Sequence, residues 1–84
     1  MDLDALENKL AGFVARETGA EAASIGPSTE LLSSGLLDSV ALVRMAALVE
    51  REARIVIPDR DVTEENFETL GAIRSYVEMR RAED

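Results

Sequence analysis

Apolar residues recur along this chain at steps of three and four, and the steps fall into separate stretches. Leu3, Leu6, Leu10 and Phe13 form the first, with the spacing of one helical face. Asp2 stands where an N-cap belongs and Gly19 where a C-terminal stop belongs, which places a helix over residues 3–17. The segment 39–53 contains no Gly or Pro and many strong helix formers, so it reads as a second helix. Thr63 can cap a short turn over 64–68, whose Glu64 and Glu65 suit a helix N-terminus. Thr69 can cap a last helix over 70–81, with Leu70, Ile73 and Val77 facing inward.

Two stretches break the helical rhythm. Residues 19–38 contain Gly26, Pro27, Ser28, Ser33, Ser34 and Gly35, and read as a long loop pinned by Ile25, Leu31 and Leu32. Loops of this length are uncommon in compact domains and are often functional. Ile55, Val56 and Ile57, closed by Pro58, have no nearby strand to pair with. They read as an extended link whose isoleucines plug the core. The pattern predicts an all-α fold, a small bundle of three principal helices and one short one, with residues 1–84 forming a single domain.

The second helix carries more apolar surface than one core contact needs. Leu42, Met45, Ala46, Val49 and Ala53 form one stripe, and Val40, Val43 and Ala47 form another on nearly the opposite side. Arg44, Glu50 and Arg51 flank this second stripe, which is either enveloped by the fold or exposed as a docking patch. The expected core is Leu6, Leu10, Phe13, Leu42, Met45, Val49, Ile57, Ile73 and Val77, with Val40 and Val43 left exposed.

Composition narrows the chemistry. The chain has no Cys and no His, which excludes disulfides, thiolate metal sites and a conventional Ser–His or Cys–His hydrolase. An enzyme would have to rely on carboxylates such as Asp59 and Asp61, which beside Pro58 read as solvated loop residues. Seventeen acidic residues against nine basic give a formal charge of −8. Such a surface repels nucleic acid and anionic membranes and is steered toward basic patches on protein partners. No apolar stretch has membrane-spanning length, so the chain reads as cytoplasmic, and it is expected to be a monomer.

The second helix opens with Gly35-Leu36-Leu37-Asp38-Ser39-Val40. Ser39 falls where first-turn N–H groups lack intrahelical acceptors and the helix dipole is positive. The position alone allows two roles: an N-cap, or a hydroxyl that carries a phosphodiester at a favourable anion site.

The longer run Glu30-Leu31-Leu32-Ser33-Ser34-Gly35-Leu36-Leu37-Asp38-Ser39-Val40 resembles the attachment motif of the acyl and peptidyl carrier proteins. Ile55-Val56-Ile57-Pro58-Asp59-Arg60-Asp61 and Thr63-Glu64-Glu65-Asn66-Phe67 resemble segments that follow in the same family, in the same order and spacing. The resemblance implies that Ser39 carries 4′-phosphopantetheine derived from coenzyme A and that Asp38 helps a phosphopantetheinyl transferase engage the site. It also implies that Val40, Val43, Arg44, Ala47 and Glu50 face the partners. These would be an acyl- or aminoacyl-loading enzyme and downstream synthase or tailoring enzymes. The carrier itself would perform no catalysis.

The sequence departs from typical fatty-acid carriers, which have acidic residues along the exposed side of the second helix. Ala41 and Arg44 stand at two such positions, and Ala53-Arg54 replaces the family's common aromatic-Gly pair. The motif is closer to discrete carriers of specialised metabolism, of the polyketide or nonribosomal peptide type. A fatty-acid or D-alanyl carrier is the alternative within the family. An acidic helical adaptor without a prosthetic group is the alternative outside it.

Overall fold

Four α-helices carry the chain: α1 Leu3–Thr18, α2 Ser39–Ala53, α3 Glu64–Phe67 and α4 Leu70–Glu83. Single 3₁₀ turns lie at Ala22–Ser24 and Asp59–Asp61. The computed structural model describes residues 2–83, among which there is no strand. The all-α bundle is therefore the fold that the apolar spacing predicts. Among the described residues no helix is long and apolar enough to cross a membrane.

The helix ends follow local chemistry. The Asp2 carboxylate accepts the Ala5 N–H at 2.8 Å, and Gly19 closes α1 at φ 78°, a left-handed conformation that costs glycine nothing. Thr63 and Thr69 accept N–H bonds from Asn66 and Ala72 at 3.3 and 3.0 Å, capping α3 and α4. At the end of α2 the left-handed residue is Arg54, at φ 57°.

Leu6, Leu10 and Val14 of α1 meet Met45 and Val49 of α2 and Ile73 and Val77 of α4, all essentially inaccessible to solvent. Each such side chain contributes roughly 1.5–3 kcal/mol on burial. Ile55 and Ile57 plug this core, as the sequence predicts, while Val56 between them points outward. Two predicted core residues, Phe13 and Leu42, are only half-buried and pack at its edge. On α1 the buried line runs through Leu6, Leu10 and Val14, and its steps of four rotate the helix so that Phe13 falls to the side. On α2 the line runs through Ala41, Met45 and Val49. Ala41, expected on the exposed docking side, is thus buried, and Leu42 borders a groove.

The long loop is fixed from the far end of the chain. The Glu68 carboxylate accepts the Ser33 N–H at 3.0 Å and the Ser33 hydroxyl at 2.8 Å, and the Glu68 carbonyl accepts the Leu31 N–H at 2.8 Å. Desolvation pushes the Glu68 carboxyl up, but the bonds from Ser33 and Leu32 outweigh it and hold the group below the usual carboxylate range. Gly71 gives its N–H to Pro27 O at 3.0 Å, in a contact so close that a Cβ would lie 3.2 Å from that oxygen. Leu31 and Leu37 are buried, and the Leu37 N–H bonds Leu31 O at 2.8 Å. The loop is thereby a fixed lead-in to the head of α2.

Candidate functional site

Asp38 has an extended backbone, and its carboxylate accepts the Ala41 N–H at 2.8 Å. Asp38 is therefore the N-cap of α2. Ser39 is the first residue inside the helix, and among the described residues its exposed hydroxyl makes no side-chain hydrogen bond. Asp and Ser are about equally good caps, so the sequence alone could not choose between neighbours. Geometry makes the choice and leaves Ser39 free. The N–H groups of the first turn, Ser39 and Val40 among them, have no acceptor within the helix, so the hydroxyl stands at the positive end of α2. A phosphodiester on that oxygen fits there without displacing any bond that the fold uses.

A groove of about 540 Å³ starts at Ser39 and runs along α2. Leu42, Val43, Ala46 and Ala47 line it on the helix side, and Ile57 and Val62 on the link side, with Glu50 and Asp59 as its charged members. Sequence reasoning named Ile57 as a core plug but missed the groove wall, because the link reaches α2 through bonds that no local pattern encodes. The Glu50 carboxylate accepts the Ile57 N–H at 2.8 Å, and the Arg80 guanidinium donates to Val56 O at 3.0 Å. Tyr76 gives its hydroxyl proton to the Asp61 carboxylate at 2.6 Å. Burial, and then the hydrogen bond to Asp61 and its charge, push the Tyr76 hydroxyl up to about 12.

Between this groove and α1 lies the outer crest of α2. Val40 and Val43 are 64% and 62% exposed there, and Ala47 is exposed beside them. These three form the exposed apolar stripe that the sequence predicts, and the enveloped-helix alternative does not hold. Arg44 is also exposed but is ion-paired with Glu17 of α1. Glu50 is half-buried and turned toward the link, where it holds the Ile57 backbone.

The sequence matches the family model of the phosphopantetheine attachment site over residues 8–77. The chain belongs to this family. No curated protein matches it. Members of the phosphopantetheine-attachment family are carriers: the prosthetic group is 4′-phosphopantetheine, and separate enzymes attach and use it. When bound, the group supplies a thiol on which an acyl unit is held as a thioester. Carriers of this family are generally not catalytic themselves. The chain's own residues hold α2, cap it, and present a hydroxyl and an apolar crest.

Proposed function

We propose that Ser39 is the attachment residue, and that the chain works as a monomeric cytoplasmic carrier of an acyl or aminoacyl group in a specialised pathway. The observation that carries the assignment is the free Ser39 hydroxyl at the positive end of α2, left unused because Asp38 takes the cap. In this reading the Ser39 oxygen forms the phosphodiester, and the transferase supplies the base. Asp38 then has two roles: it holds the first turn of α2, and its remaining carboxylate surface is a contact for the transferase.

Val40, Val43 and Ala47 form the docking crest, visited in turn by the transferase, a loading enzyme and downstream synthase or tailoring enzymes. Docking of this kind is weak and electrostatically steered, and the tether keeps the cargo concentrated at each partner. The specialised-pathway reading is supported by the Ser-Gly-Leu-Leu-Asp-Ser form of the motif and by the departures at Arg44 and Ala53-Arg54.

Ser33 and Ser34 are the rival hydroxyls in the motif. Their oxygens already bond within the loop, Ser33 to Glu68 at 2.8 Å and Ser34 to Glu30 O at 2.5 Å. Loading with coenzyme A and a broad-specificity transferase, followed by fragmentation of the loaded chain, should localise the group to Ser39. A group found on Ser33 or Ser34 would overturn the assignment.

A further inference from the structure

The seam between α1 and α2 has a charge layering opposite to that of the chain as a whole. Lys9 pairs with Glu52 and Arg44 with Glu17, so the two helices run antiparallel and are stapled at two points eight residues apart, about 12 Å along the axis. In both pairs the carboxylate is the inner member. Glu52 and Glu17 side chains are 17% and 22% exposed, whereas Lys9 and Arg44 are 55% and 59% exposed. Arg51 also reaches Glu52, and its side chain stands 74% exposed. The bond from Lys9 is the main cause that holds the Glu52 carboxyl below the usual carboxylate range, against its own desolvation.

Between the staples lies a cleft of about 370 Å³. Gly12 and Leu48 help to line it, and the absent side chain of Gly12 makes room for the Arg16 guanidinium, 3.4 Å from where a Cβ would be. Arg16 has no carboxylate partner among the described residues. A ligand approaching this face therefore meets four outward cations, Lys9, Arg16, Arg44 and Arg51, with the two carboxylates beneath them.

We infer that the α1–α2 cleft is a second docking surface, one that takes a helix of a partner protein carrying carboxylates on one face. The chemistry follows from charge complementarity. Carboxylates one and two turns apart on a helix repeat at about 6 and 12 Å, which matches the span between the staples. The acidic remainder of the chain does not cancel the attraction at physiological salt, because the Debye length of about 8 Å is short beside the molecule's 25 and 35 Å extents. The surface neighbours the apolar crest of α2, since Arg44 and Arg51 flank Val40, Val43 and Ala47 on their α1 side. Ser39 is not among the residues that line it.

The test is an amide-resolved NMR titration of the full chain, at about 0.15 M ionic strength, with a synthetic helical peptide bearing glutamates at i, i+4 and i+8. Its lysine counterpart is run alongside. Shifts should centre on Gly12, Arg16, Leu48 and Arg51 with the glutamate peptide only. Arg16→Glu/Arg51→Glu should bind about tenfold more weakly. Arg16→Gln/Arg51→Gln, which adds no repulsion, should also weaken binding. Arg54→Glu/Arg60→Glu, which reverses exposed cations outside the cleft, should bind as the wild type does. Scattered or absent shifts, equal loss in the Arg54/Arg60 variant, or full competition by inorganic phosphate at the same amides would each overturn the inference. The last would make the cleft a small-anion site.

Discussion

Two neighbours at the head of α2 have different tasks: Asp38 satisfies the backbone, and Ser39 keeps its hydroxyl free. The same separation of stability from presentation runs along the helix, between residues that face the core and residues that face out. Leu10 is fully buried, whereas Val40 is 64% exposed on the crest. Leu10→Ala should cost about 2–5 kcal/mol through lost transfer energy and the cavity left behind. Val40→Ala should change stability by no more than about 0.5 kcal/mol, as surface substitutions usually do. Denaturant midpoints of the two variants decide the matter, and equal losses would mean that the crest is part of the core. The burial of Leu10 was legible because apolar spacing reports a face. The exact rotation of that face was not, since Phe13 and Val14 are both apolar and only packing against α2 and α4 selects Val14.

At the scale of elements, α2 is the organising piece, with the core behind it, the crest in front and a groove on either side. Its C-terminal end has an avoidable strain. Arg54 occupies a left-handed conformation at φ 57°, which costs a residue with a side chain about 1–2 kcal/mol. Its side chain is exposed, so Arg54→Gly should relieve that strain. The greater freedom of glycine in the unfolded chain returns roughly 0.5–1 kcal/mol of the gain. A net stabilisation of about 0.5–1 kcal/mol should appear as a melting temperature raised by several degrees. An unchanged or lowered midpoint would mean that the arginine stem packs usefully on its surroundings. The helix ends were legible because caps and stops are local: Asp2, Gly19, Thr63 and Thr69 all sit where the sequence places them. The loop and the link were not, because Glu68 fixes Ser33 from 35 residues away, and Glu50 and Arg80 fix the link from positions with no local signature.

For the molecule as a whole, a net charge of −8 was legible from composition, but its layering was not. Arg44 looked like a lone reversed charge on a docking face. In the fold it is paired with Glu17 and stands in a row with Lys9 and Arg51, the outer members of ion pairs with Glu17 and Glu52. Charges so arranged orient a partner as well as attract it. The carrier assignment depends on Ser39, and the intact mass of the wild type and Ser39→Ala after incubation with coenzyme A and a broad-specificity transferase tests it most directly. The wild type should gain one phosphopantetheine and Ser39→Ala none. The variant should keep the helical spectrum and, because Asp38 still holds the cap, a stability within about 0.5 kcal/mol of the wild type. A mass gain that persists in Ser39→Ala, or a wild type that is never loaded, would contradict the assignment of Ser39.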